Sequence, residues 1–140
     1  MVSGDALIAQ LPKAVGEWAL IEVHNDKQPM REGTVLQVSG VYQRPNEPPY
    51  IYVSIADTRG IRSPQGAFRE MHDRPTYSIT AFEHQGYPAI EQFLSKPLMT
   101  VYMALLEDRY LVSVNAEGSS RETARAILDA IDMKAIAALK

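Results

Sequence analysis

Imidazole titrates near neutrality and ligates most divalent ions, so His24, His72 and His84 are the first residues to weigh for catalysis or a metal. His72 precedes Asp73, and His84 follows Glu83. Neighbours on a strand project to opposite faces, so Glu83 cannot orient His84 and the adjacency is not a dyad. No HExxH or HxH spacing links the three, and a metal site would need them to converge from two strands and a helix end. No metal ligands are assigned. The chain has no cysteine, which removes disulfides, thiolate nucleophiles and Cys-ligated zinc together. No serine sits in a Gly-x-Ser-x-Gly elbow, and Gly33, Gly40, Gly60 and Gly66 stand singly rather than in a phosphate-cradling run. The sequence therefore offers no catalytic residue and no cofactor site. A small hydrolase or metal-dependent enzyme using His72, His84 and nearby carboxylates stands as the alternative to a non-enzymatic binding module.

Two groups of residues suit recognition. Arg59, Arg62, Arg69 and Arg74 concentrate positive charge in one segment, and arginine forks meet carboxylate or phosphate bidentately. The same arginines beside Asp57, Glu70 and Asp73 also fit a solvated loop and helix face. Tyr50 and Tyr52 alternate with Ile51, Val53 and Ile55, so one face of that segment carries tyrosine and the other aliphatic side chains. If the aliphatic side faces the core, the tyrosines face outward and offer large contact area with a polar tip. Packing of the tyrosines in a second small core is the competing reading.

These residues need a scaffold, and 140 residues with 46% apolar content match one hydrophobic core and a single domain over 1–140. A net charge of -3 gives no global attraction to nucleic acid or to an anionic membrane. The expected partner is a protein or a small ligand. No stretch approaches the length of a bilayer-spanning helix.

Asp5 caps an expected short helix carrying Leu7, Ile8 and Leu11, ended by Pro12 and Gly16. Runs rich in β-branched and aromatic residues predict strands over Trp18 to His24, Thr34 to Tyr42 and Tyr50 to Asp57, with Asn25 to Gly33 and Arg44 to Pro49 as connections too short for a parallel crossover. Ser63-Pro64 signals a second short helix, and Thr76 to His84 a strand ending at a Gln85-Gly86 turn. Pro88 confines Tyr87 to Phe93 to an edge strand or irregular chain. Leu98 to Leu106 and Tyr110 to Ala116 form a hairpin around Glu107-Asp108. Ser119 and Glu122 have capping-box spacing, and Ala124, Ile127, Leu128, Ile131 and Ala135 make the stripe of one long helix. The fold expected is α+β: a mainly antiparallel sheet with this helix and one or two shorter ones packed on it. An exposed strand pairing with a copy of itself gives a third functional reading, a self-associating homodimeric subunit.

The run Glu107-Asp108-Arg109-Tyr110-Leu111-Val112-Ser113-Val114, then Glu117-Gly118-Ser119-Ser120 and a helix ending Ala130-Ile131-Asp132, resembles the C-terminal part of a family of uncharacterised bacterial envelope proteins. Gly16-Glu17-Trp18, Asp57-Thr58 and the turn from Gly86 to Ala89 are similar to further fragments of that family. The order of elements resembles the Mog1/PsbP-like α/β/α sandwich, whose members are mostly binding proteins or accessory subunits. The resemblance implies that fold and a binding role, and transfers no catalytic residue. Members usually carry an export signal, and Met1-Val2-Ser3-Gly4-Asp5 lacks a basic and apolar leader. The implied location is the periplasm or cell envelope if a signal was removed, and the cytoplasm otherwise.

Overall fold

Strands that alternate apolar and polar side chains can bury one face of a sheet and leave the other open. In a computed structural model of the protein, which describes residues 3–30, 33–44, 47–58, 78–95, 98–107, 109–118 and 121–139, eight strands form one open sheet. They are β1 (Ala14–Val15), β2 (Trp18–Met30), β3 (Gly33–Arg44), β4 (Glu47–Asp57), β5 (Ser78–His84), β6 (Tyr87–Ser95), β7 (Leu98–Leu106) and β8 (Tyr110–Glu117). Their order is β1-β2-β3-β4-β8-β7-β6-β5, with every neighbouring pair antiparallel. Two four-stranded meanders thus meet along β4 and β8. Residues 59–77 between them lie outside the described residues, and with them the expected Ser63-Pro64 helix, His72, Tyr77 and all four arginines of the basic segment.

Three described helices, α1 (Gly4–Ile8), α2 (Arg121–Ala130) and α3 (Met133–Ala137), lie on one face of the sheet. Leu7, Ile127, Leu128 and Ile136 share a buried core with Val38, Ile51, Val53, Ile55, Val112 and Val114. At about 1.5–3 kcal/mol for each large side chain fully buried, this layer is the main source of stability. No helix among the described residues is long and apolar enough to cross a membrane.

Several local expectations need correction. α1 is capped by Ser3, whose Oγ accepts the Ala6 N–H at 3.1 Å, rather than by Asp5, which sits within the first turn. β2 continues through Asn25 to Met30, and β4 starts at Glu47, because the β2–β3 and β3–β4 ladders extend over residues whose polarity suggested connections. Tyr87–Ser95 is an interior strand between β5 and β7. Pro88 is tolerated there for a geometric reason. The Gln85-Gly86 turn has positive φ at both residues, as a two-residue hairpin requires. His84↔Tyr87 is then the bonded pair and Glu83↔Pro88 the non-bonded one, so the proline nitrogen points toward β7, where the β6–β7 ladder has already ended at Ala89. The expected long C-terminal helix is two helices, broken at Ile131 and recapped by Asp132, whose carboxylate accepts the Ala135 N–H at 3.1 Å. Ile131 is still buried. The other predicted apolar positions of that stripe fall on α2 and α3.

Candidate functional site

The outer face of the sheet, opposite the helices, divides into two halves. On the β6–β7 side Ile90, Gln92 and Leu105 are buried. On the β2–β4 side Tyr50 and Tyr52 stand 41% and 47% exposed, and Ile21 52%. The alternation of β4 produces this arrangement: Ile51, Val53 and Ile55 are fully buried toward the helices, which turns Tyr50 and Tyr52 outward. A bulge between Leu20 and Glu22 sets two residues of β2 against Tyr42 alone and brings Ile21 and Glu22 to the same outer face.

Register aligns the patch in rows. Glu22, Val41, Tyr52 and Asn115 succeed one another across β2, β3, β4 and β8, and His24, Ser39, Ser54 and Ser113 form the next row. Ile21, Glu22, His24, Ser39, Val41, Tyr50 and Tyr52 line an open groove of about 460 Å³. Glu22 Oε2 approaches His24 Nε2 at 3.5 Å, with both side chains more than half exposed. Ser54 and Ser113 hydroxyls hydrogen-bond to each other at the edge of the patch. The groove thus offers two aromatic rings, two aliphatic side chains, a carboxylate and an imidazole on a rigid sheet. This can grip an apolar or mixed peptide surface.

The tyrosines separate into two populations. Tyr42, Tyr102 and Tyr110 are buried on the helix side. Burial raises the Tyr42 and Tyr102 hydroxyls well above the usual phenol range, with the Glu91 carboxylate adding to the effect at Tyr102. Tyr102 donates to Glu91 Oε2 at 2.7 Å.

His84 belongs to the helix–sheet junction. It is 5% exposed, edge-on to Phe82, with Nδ1 3.7 Å from Asp129 Oδ1 of α2. Its pKa is lowered by burial, which outweighs the opposing pull of Asp129; the Arg125 charge lowers it further. Glu83 lies on the other face, as the strand alternation predicts. Arg125 and Arg121 of α2 cover Phe82 and Phe93 at 4.7 and 3.6 Å from the ring centres, so the charges around His84 hold the helix down. Among the described residues no three His, Asp or Glu side chains are placed to hold a metal ion.

A second polar node escaped the sequence reading. Asp57, fully buried at the end of β4, accepts Arg109 Nε at 3.1 Å and Nη2 at 3.0 Å. The hydrogen bond to Asp57 raises the Arg109 pKa. Arg109 Nη1 and the Tyr110 hydroxyl both donate to Leu139 O, and Thr58 Oγ1 donates to Arg109 O, so the node fastens the C-terminal end to the sheet. Asp57-Thr58 and Arg109-Tyr110 thus touch across the ends of β4 and β8. The signal was a buried-phase aspartate ending an apolar strand, but its partner lies 52 positions on.

The chain matches no family model, no curated protein and no solved structure. The fold and site define an α+β domain: an eight-stranded antiparallel open sheet closed by C-terminal helices on one face, with an exposed tyrosine patch on the other.

Proposed function

We propose that this domain is a non-enzymatic binding module that receives a segment of a partner protein on the β2–β4 half of its outer sheet face. The observation that carries the reading is the pair Tyr50 and Tyr52, exposed side by side over a groove on a strand whose alternate residues are fully buried. Monomeric surfaces scatter large apolar groups singly, whereas the two tyrosines gathered with Ile21 make a patch of the composition that recognition surfaces use. An open groove on a sheet suits a protein segment better than a small molecule, which needs a concave site that buries most of its surface. Likeness to the Mog1/PsbP-like sandwich belongs to the same proposal. It is supported by an antiparallel sheet with C-terminal helices packed on one face.

The test is site-specific photo-cross-linking in native cells, with a photoreactive phenylalanine analogue at position 52 and, as control, at exposed Glu122 on α2. A discrete adduct to another protein from position 52, absent from position 122 and lost on Tyr50→Ala, is the expected result. No adduct, or the same adducts from both positions, would remove the outer face as the binding surface.

A further inference from the structure

Beyond the tyrosine patch, β2 has an edge that no described strand covers past Ala19. β1 covers β2 only at Trp18 and Ala19, and Leu20 N–H donates to Lys13 O at 3.0 Å. From Ile21 to Met30, no strand among the described residues pairs with this side of β2. Bonded and non-bonded pairs alternate along the β2–β3 ladder from Met30↔Gly33, which closes it. Val23, Asn25 and Lys27 therefore turn their N–H and C=O groups to the open edge. Ile21 and Val23 are 52% and 37% exposed on this same stretch, and an edge carrying unpaired backbone and bare aliphatic side chains is a template for another strand.

We propose that the occupant is a second copy of this chain, β2 against β2, antiparallel about a two-fold axis through Val23, joining two eight-stranded sheets into one. Charge and register select this pairing. Symmetric registers centred on Val23, His24 or Asn25 set edge-facing residues against each other, and those centred further along bring Pro29, which has no N–H, into the bonded row. With Val23 opposite Val23, Glu22 of each copy stands opposite His24 of the other on the outer face, in the non-bonded positions where side chains come closest. Moving to Val23 opposite Asn25 brings Glu22 against Asp26, and like charges directly opposite destabilise a ladder. Moving again to Asn25 opposite Asn25 brings Pro29, which has no N–H, into the bonded row opposite Ile21. The favoured register also stops where β1 begins, so Ile21 to Asn25 pair in each copy and β1 bounds the contact at both ends. Glu22 and His24 also line the tyrosine groove, so the two grooves lie on one continuous face in the dimer. The dimer itself does not depend on what the groove binds.

Sedimentation velocity of the full chain from low to high micromolar concentration tests the proposal. The expected mass rises from the monomer's 15.6 kDa toward twice that value. Val23→Lys places two ammonium groups against each other at the axis and weakens association by at least about tenfold. Val23→Cys, the chain's sole cysteine, gives a covalent dimer on mild oxidation, whereas Ser54→Cys at the centre of the outer face does not. Exchanging the charges in the double variant Glu22→His, His24→Glu preserves the dimer, and Glu22→Lys alone weakens it. A monomer at every concentration, or a dimer indifferent to Val23→Lys, overturns the proposal. The melting temperature of dilute Val23→Lys checks that the fold is intact.

Discussion

Removing the Arg109 side chain, with Arg109→Ala, leaves the Asp57 carboxylate without its bidentate partner. Asp57 is fully buried at the end of a central strand, and both its oxygens accept from Arg109, at 3.1 and 3.0 Å. Breaking a buried pair from one side strands a charge in a poor solvent and costs about 3–5 kcal/mol. Arg109 is itself partly exposed, which leans the value toward the lower end, while loss of its bond to Leu139 O adds about 1 kcal/mol. The expected cost is about 3–4 kcal/mol, a large part of a marginal domain stability of about 5–15 kcal/mol. Urea unfolding at neutral pH, followed by tryptophan fluorescence of Trp18, measures it. Asp57→Leu combined with Arg109→Met should recover much of the loss, since apolar replacement of a buried pair is often neutral. A loss below about 1 kcal/mol for Arg109→Ala, or no recovery in the double variant, would refute the claim that an ion pair closes this end of the sheet.

His84 supplies a pH dependence. Its folded-state pKa lies below the ordinary 6.5, so just below that pH the unfolded chain binds a proton that the folded chain does not, and stability falls on acidification. His84→Gln should flatten this slope in unfolding curves taken on either side of pH 6.5. Ile127→Ala, at a fully buried position of α2, should cost about 2–5 kcal/mol in the same assay. Gln85 bridges the break between α2 and α3, its Nε2 donating to Ile131 O at 2.9 Å and its Oε1 accepting Met133 N–H at 3.0 Å. Gln85→Ala should therefore cost about 1 kcal/mol and increase hydrogen exchange at Met133.

Local pattern made most of the strands legible. The strand expected over Tyr110 to Ala116 forms, and the alternation of Tyr50 and Tyr52 against Ile51, Val53 and Ile55 left two placements open, of which the structure has the outward one. Strand order was not legible, because nothing near β4 in sequence announces β8 as its neighbour. Length misled where polarity stood in for it: Asp26, Lys27 and Gln28 read as a loop, yet an edge strand tolerates charge and even uses it. The proline rule erred at Pro88 because it ignores which side the missing donor faces. Unbroken apolar spacing from Ala124 to Ala135 concealed the helix break, since Ile131 stays buried while Asp132 restarts the turn. Pairings such as Asp57 with Arg109 and His84 with Asp129 join separate elements, and composition or spacing has no access to them.

The measurement that bears most directly on the outer face is covalent footprinting of tyrosine, comparing purified protein with the same protein in its native cells. In the purified state Tyr50 and Tyr52 should be modified readily, while buried Tyr42, Tyr102 and Tyr110 stay unreactive. Pairing at the β2 edge does not cover Tyr50 or Tyr52, so self-association leaves this pattern unchanged. In cells the account predicts protection of Tyr50 and Tyr52 together, reversed by substitutions in the groove such as Val41→Lys. Equal reactivity of Tyr50 and Tyr52 in both settings would contradict a partner seated on that face.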